Sequence, residues 1–377
     1  NSYMIFMTRS RETGALPYPG ALERIADRIS HTIHNALWEE LFKPRAERRI
    51  PLCLETIPSI GVGFFGLLNN PCIDIQEILD SGLEASKVMA QSQIKRGRER
   101  KREMMQTLIQ SELLLQPFYQ AVFDLQAMSK EVVDEVKSSK SISPIRDHIY
   151  GFESLIRVNK DELHELDSFE NGIETRFLRP DVLFALAKNT KVALELDQAC
   201  MRHAARCSSD LPGILMINIL PRNLYYIERL RDTFERQNDL MFEISESEAI
   251  NNFDLMIQSR DYLEANNIGI AADDFGKGYS SLERIIRIKP QVIKFDRGII
   301  QDVDKDQVKQ AYVQGLVQAA KILNTTILAE GVETWEEAET LKNMGVHLIQ
   351  GFLLHRPEKE EQIQEQLQSS KRRKTVA

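Results

Sequence analysis

From Ile149 onward the chain alternates short apolar runs with amphipathic stretches. The runs Ile149–Leu155, Ile214–Ile219, Leu240–Ile244, Ile268–Ala272, Val292–Phe295, Thr326–Ala329 and His347–Ile349 have the length and bounding residues of buried strands. Between them, residues 181–206, 249–266, 305–323 and 335–344 carry apolar positions at helical spacing. Strands alternating with helices imply a parallel sheet. With one more strand-like run at Leu113–Leu125, the pattern predicts an α/β fold, a closed TIM-like (β/α)8 barrel over residues 104–368. The Ser-, Lys- and Val-rich residues 126–148 are expected to form an exposed insertion in a connection.

Residues 1–103 read as a smaller α/β unit. Ser2–Met7 is strand-like, Ala21–Trp38 repeats Leu22, Ile25, Ala26, Ile29, Ile33 and Leu37 at helical spacing, Pro51–Phe65 reads as a strand region and Ile73–Gln93 as a helix. So small a sheet needs further strands or a neighbour to pack on. The basic run Lys95–Arg102 reads as a linker or a solvated helix end; no aromatic residues interleave with it, which argues against single-stranded nucleic acid. The tail at 369–377, with Lys371–Lys374, reads as solvated.

Charge and composition narrow the classes. A net charge of −8 over 377 residues, 42% hydrophobic and 28% charged, describes a globular protein without general affinity for nucleic acid polymers. No run is apolar enough for a membrane segment. Cys53, Cys72, Cys200 and Cys207 show no metal-site spacing and read as reduced thiols of a cytoplasmic protein. Opening on Asn1, directly in a strand-like run, the chain is expected to be a piece of a longer one.

A barrel makes a sharp demand, that polar groups at the C-terminal ends of its strands converge on one mouth. Those positions hold Glu153, Asn218, Glu243, Asp273 with Asp274, Lys294, Glu330 and Gln350. A lone acid there is commonly a helix cap, and Asp273-Asp274-Phe-Gly276 by itself also reads as a capping turn. The set, at matching places in successive units, points instead to a site. Oxygen ligands without His or Cys favour Mg2+ or Mn2+ over zinc, and this many carboxylates exceed the needs of one ion. Asp273 is placed to bridge two ions, and Lys294 to hold the attacking water or neutralise charge at phosphorus; its alternative is a salt-bridged barrel lysine. The chemistry this implies is two-metal hydrolysis of a phosphate ester.

These residues also carry a resemblance. Gly151-Phe-Glu153-Ser154-Leu155-Ile-Arg157 is similar to the signature segment of the EAL-domain cyclic-di-GMP phosphodiesterases, with Ser154 in place of the usual Ala. The likeness continues through the Asn218 strand, Phe242-Glu243-Ile-Ser-Glu246, Asp273-Asp274-Phe-Gly-Lys-Gly-Tyr-Ser-Ser-Leu282, Ile293-Lys294-Phe-Asp296, Ala329-Glu330-Gly-Val-Glu333-Thr334 and Gln350-Gly351 with Pro357. It implies hydrolysis of cyclic di-GMP to linear pGpG with two Mg2+ or Mn2+ ions. By position, Glu153, Asn218, Glu243 and Asp273 would hold the first metal, and Asp273, Asp274 and Glu330 the second. Glu330 would be the general base, Lys294 would position the water, and Gln350 would support substrate or a metal-bound water. Gln120 and Arg157 would contact the dinucleotide. Glu246 would brace the loop after Asp274, which in the family couples metal binding to homodimer contacts.

Four departures from that pattern stand out: Lys277 inside the regulatory loop, Ala121 where a proline is common after Gln120, His347 where an acid is frequent, and the segment 126–148. Residues 1–103 resemble the rear half of a GGDEF domain through Ala21-Leu-Glu-Arg-Ile-Ala-Asp27, Ser59-Ile-Gly-Val-Gly63 and Ile73–Gln93. The signature turn would fall at Asn1-Ser2-Tyr3, without its glycines and acids, so a degenerate regulatory unit is expected rather than a cyclase. The rival to an active phosphodiesterase is a catalytically silent cyclic-di-GMP receptor signalling through that unit.

Overall fold

The apolar runs of the second part of the chain close into a barrel in the computed structural model, which describes residues 75–159, 162, 179–208, 210–234, 239–245, 253–275 and 287–374. The chain divides into two compact units, residues 1–106 with 184–192, and residues 107–183 with 193–377. The second unit contains every strand named below. The expected GGDEF-like features up to residue 74, Cys53, Cys72, the loop brace Glu246, the regulatory-loop Lys277 and the last residues of the basic tail lie outside the described residues.

Eight strands follow one another around the closed barrel in chain order. They are β1 (Leu115–Asp124), β2 (Ile149–Val158), β3 (Ile214–Asn218), β4 (Leu240–Ser245), β5 (Ile268–Phe275), β6 (Val292–Phe295), β7 (Thr326–Ala329) and β8 (Leu348–Ile349). Strands β2 to β8 pair in parallel. The expectation of a parallel barrel fails at β1, which runs antiparallel to both β2 and β8. Leu115 pairs with Val158 and Phe123 with Ile149, so the end of β1 lies beside the start of β2. Their connection stays at one end of the barrel.

That geometry also corrects the reading of 126–148 as an exposed insertion. The segment forms helix α2 (Lys130–Ser139), started by the Ser129 hydroxyl accepting the Val132 N–H, and α2 buries Val133 and Val136 at i,i+3 spacing. A tight helical turn at Ser143–His148 buries Ile145. All three join the main hydrophobic core.

The basic run 95–102 is not a helix end. It lies inside one continuous helix, α1 (Ile75–Gln110), of 36 residues, because Lys, Arg and Glu are good helix formers and a run of charge does not stop a helix. Conversely 181–206 is two helices, α3 (Pro180–Thr190) and α4 (Ala193–Arg206), separated where Lys191 takes a left-handed φ of 61°. The longer helices that follow among the described residues are α5 (Phe253–Ala265), α6 (Gln307–Leu323), α7 (Trp335–Met344) and α8 (Glu360–Lys374). No helix of the described residues is long and apolar enough to cross a membrane.

Burial is organised in layers. Outward-facing strand residues such as Phe152, Phe242, Ile293 and Ile327 pack with helix residues such as Met201 and Val317. Inside the barrel a separate apolar layer is made by Val122, Met216, Met241, Ala271, Val292, Leu328 and Leu348. This inner layer is the floor on which the polar mouth is built.

Candidate active site

Side chains on a strand alternate with period two, so the residue two positions beyond a floor residue points to the same side, one layer higher. Two beyond Met216, Met241, Ala271, Val292, Leu328 and Leu348 stand Asn218, Glu243, Asp273, Lys294, Glu330 and Gln350. On β2, Glu153 pairs in register with Met216. On antiparallel β1 the same rise runs backwards, from Val122 to Gln120, which pairs in register with Glu153. Eight strands thus carry eight of the predicted positions on their inner faces, staggered by the register.

At Asp274 the backbone ladder changes. The register between β5 and β6 shifts between Ala272 and Phe275: Ala272 pairs with Ile293 and Phe275 with Phe295. Asp273 and Asp274 together therefore oppose the single residue Lys294, the two-against-one pattern of a β-bulge.

Lys294 organises the layer. Its Nζ lies 2.8 Å from Glu243 Oε2, 2.8 Å from Glu330 Oε1, 3.3 Å from Glu153 Oε1 and 3.6 Å from Asp273 Oδ1, with the lysine side chain only 1% exposed. Amides complete the net. Asn218 Nδ2 donates to Glu153 Oε1 at 3.2 Å and to Glu243 Oε2 at 3.1 Å, and Gln350 Nε2 donates to Glu153 Oε2 at 2.8 Å. Burial would neutralise Lys294, but Asp273, Glu153, Glu243 and Glu330 outweigh it and hold the ammonium well above its ordinary range.

The carboxylates separate in character. Burial pushes Glu243 well above the usual carboxylate value, and the neighbouring Glu153 and Asp273 add to it. Burial acts on Glu153 as well, yet Lys294 and the donated hydrogen bonds win and lower it. Glu330 is pushed up to about 8, mainly by burial, with Lys294 opposing and Asp273 and Glu153 reinforcing. Two neighbouring anions in a dry site divide in this way, one ionised and one inclined to keep its proton.

Divalent ions fit this donor set. Four carboxylates face one ammonium, every donor is oxygen, and Glu243 Oε1 is buried yet accepts no hydrogen bond. Among the described residues no three acids, histidines or cysteines already converge at metal-holding geometry; the ammonium of Lys294 holds the centre.

Gln120 and Arg157, expected to contact the dinucleotide, lie on neighbouring strands β1 and β2. Gln120 is buried and its Nε2 donates to the His355 carbonyl at 2.9 Å. Arg157 shares Glu153's face four residues on; its Nη1 donates to the Ile156 carbonyl at 2.9 Å. Gly351 lets the chain after Gln350 cross against Val332, whose backbone a Cβ at position 351 would overlap.

Three positioning groups escaped the sequence reading. Asp197 Oδ2 accepts the Leu220 N–H at 2.9 Å and Asn223 Nδ2 at 2.8 Å, fixing the loop after Asn218. Glu337 Oε2 accepts the N–H groups of Glu333 and Thr334 at 3.0 and 3.1 Å, and its Oε1 that of Asp302 at 2.9 Å, tying the loop after Glu330 to the turn after β6. Thr334-x-x-Glu337 is a capping box, a signal present in the sequence. The third, His355, lies in the loop after β8 and has no periodic signal.

A closed barrel whose strand ends carry a ring of carboxylates around a buried lysine defines a class, the barrel enzymes and receptors built at that mouth. The EAL domain family matches residues 142–357, more than half of the chain, and the chain belongs to that family. It is 40% identical over 134 residues to the bifunctional diguanylate cyclase/cyclic di-GMP phosphodiesterase MucR of Pseudomonas aeruginosa, a match that covers 36% of this chain and only 19% of MucR. Its fold is similar to that of the PaMucR phosphodiesterase in its c-di-GMP complex, at 25% identity and a TM-score of 0.54, covering 70% of this chain and 99% of that one. The calcium/cyclic-di-GMP complex of Klebsiella pneumoniae BlrP1 matches at 25% identity and a TM-score of 0.50, covering 79% of this chain and 75% of that one.

Proposed function

We propose that this chain hydrolyses one phosphodiester of cyclic di-GMP, giving linear pGpG, with two Mg2+ or Mn2+ ions. The observation that carries the reading is the convergence of Glu153, Glu243, Asp273 and Glu330 on one buried lysine at the barrel mouth. The names of MucR and of the two ligand complexes, one of them with calcium, support the substrate and the need for a divalent ion. Glu153, Asn218, Glu243 and Asp273 would hold one ion, and Asp273, Asp274 and Glu330 the other. Bound there, the ions supply charge stabilisation and lower the pKa of a bound water.

The chain's own residues do the rest. Glu330 accepts the proton of the attacking water as its oxygen bonds to phosphorus. The bond from phosphorus to the 3′ oxygen breaks, and that oxygen leaves as a hydroxyl after taking a proton from solvent. Lys294 offsets negative charge gathering at phosphorus, and Gln350 holds Glu153 in place. Gln120 and Arg157 orient the dinucleotide.

A homodimer through the barrel belongs to the same reading. Helix α6 supports it with an exposed apolar stripe: Val308 is 79% and Ile322 86% exposed, Tyr312 and Leu323 lie along the same helix, and Gly315 opens onto empty space. Regulation by residues 1–103 as a degenerate GGDEF-like unit is supported by the double activity in MucR's name.

The second reading, a cyclic-di-GMP receptor without turnover, is favoured by the ammonium of Lys294 holding the centre of the cluster. The test separates the two. Purified chain is incubated with cyclic di-GMP and Mn2+ or Mg2+, with an EDTA control, and products are resolved by chromatography. Metal-dependent pGpG that vanishes in Glu330→Ala and Glu153→Ala establishes the hydrolase; dinucleotide binding with no product establishes the receptor.

A further inference from the structure

The barrel seam closes unevenly. β1 and β8 share only two register pairs, Phe123 with Ile349 and Asp124 with Leu348, below the level of Gln120. Above them the loop after β8 covers the free edge of β1. Tyr119 N–H donates to the Glu358 carbonyl at 2.7 Å, and Glu358 N–H returns a bond to the Tyr119 carbonyl at 3.0 Å. Between those points the partner is a side chain: Ala121 N–H donates to His355 Nδ1 at 3.0 Å, while Gln120 Nε2 donates to the His355 carbonyl.

Ala121 is fully buried, so without the imidazole its N–H would lack both protein and water partners. Because Nδ1 accepts, the ring proton sits on Nε2. That atom is buried without a hydrogen bond, with Glu358 Oε2 3.7 Å away, and Phe152 meets the ring edge-on at 6.4 Å between centroids. The ring is held by packing and by its one acceptor role.

We propose that His355 is a positioning residue for Gln120. Its imidazole replaces the carbonyl that β8 is too short to provide, closes the seam at Ala121, and so holds Gln120 on the face that carries Glu153. The inference rests on the cyclic-di-GMP reading, in which Gln120 contacts the dinucleotide. It accounts for a departure in the sequence. A proline after Gln120 has no N–H to satisfy; Ala121 has one, and His355 supplies the acceptor.

The test uses the whole chain. His355→Leu keeps bulk and removes the acceptor. Cyclic di-GMP affinity, measured by calorimetry in Ca2+, is expected to fall about tenfold, with the loss appearing in KM rather than kcat if the protein turns substrate over. His355→Asn, whose amide oxygen replaces Nδ1, should restore binding. The deciding variant is Ala121→Pro with His355→Leu, in which proline removes the orphaned donor and affinity returns to within about twofold of Ala121→Pro alone.

Hydrogen exchange of residues 115–124 without ligand gives a second readout, expected to speed up in His355→Leu and stay slow in His355→Asn. Unchanged binding and exchange in His355→Leu, or a double variant no better than His355→Leu, overturns the proposal. Binding without turnover sinks only the hydrolase reading. A wild-type chain that binds no cyclic di-GMP overturns the role toward the dinucleotide as well, even where exchange shows the seam.

Discussion

Lys294 Nζ lies 2.8 Å from Glu243 Oε2 with both side chains buried, while the other oxygen of Glu243 accepts nothing. An ion pair this dry is not a stabilising feature by default, because desolvating both partners offsets much of their attraction. What it does is hold a cation where charge would develop at phosphorus, at the cost of gathering four carboxylates around one ammonium. Removing either sign of charge should therefore be felt strongly, and in opposite ways with and without a divalent ion.

Lys294→Met keeps the stem and removes the charge. In EDTA the variant should lose about 3–5 kcal/mol of stability, the usual result of leaving a buried ion without its partner. Mn2+ or Mg2+ should restore most of it, because the cations offset the same carboxylates, while turnover stays at least about a hundredfold down. Thermal unfolding with and without Mn2+ checks this, and a variant equally stable in EDTA would contradict the picture of a single organising cation.

Much of this site is legible in the residue pattern alone. In six parallel strands an apolar residue is followed two positions later by the polar one, Met216 and Asn218 or Val292 and Lys294 for instance, and that spacing survives any uncertainty in strand ends. The direction of β1 is less accessible, although Gln120 precedes Val122 where those six strands have the polar residue after the apolar one. Helix α2 is hidden because its buried face is only Val133 and Val136 among polar neighbours. The β5 bulge and the seam at His355 have no period at all, since each is a local break in the ladder that only the register reveals.

The pH dependence of the metal-free protein follows from Glu330. Its folded pKa of about 8 stands above the unfolded carboxylate value, about 4.3. Between those values the native state binds more protons than the unfolded state, so stability falls as pH rises. Glu243, also raised, adds to the same slope. Glu153, lowered, is ionised in both states across this window and contributes none. The melting temperature in EDTA should decline from pH 5.5 to pH 8.5, about the window those values span. Mn2+ should flatten the curve, with protons released on binding at neutral pH. A melting temperature that rises with pH in EDTA would rule this out.

Gly351→Ala should be damaging out of proportion to one methyl group. The new Cβ would run into the Val332 backbone, which cannot move without carrying the loop that follows Glu330. The Val332 N–H also donates to the Gln350 carbonyl at 3.1 Å, and the Leu353 N–H to the Val332 carbonyl at 3.0 Å. Expected are a loss of about 3 kcal/mol or more and a fall in kcat as Gln350 and Glu330 shift together. A variant with wild-type melting temperature and rate would mean that the crossing has slack.

Ser154→Ala tests the opposite situation, a polar atom without a purpose in the site. Neighbouring residues on a strand face opposite ways, so Ser154 points away from the layer that holds Glu153. Its hydroxyl is buried with no hydrogen-bond partner, a desolvation cost with nothing returned. Alanine, the residue usual at this place in the resembling signature segment, removes that cost and leaves no appreciable cavity. The substitution should raise stability by about 0.5–1 kcal/mol, read as a higher urea midpoint at unchanged slope, and leave turnover and cyclic-di-GMP affinity as they were. A drop in activity without a drop in stability would show that the hydroxyl reaches the site through the β2 backbone, and that position 154 is part of the catalytic machinery after all.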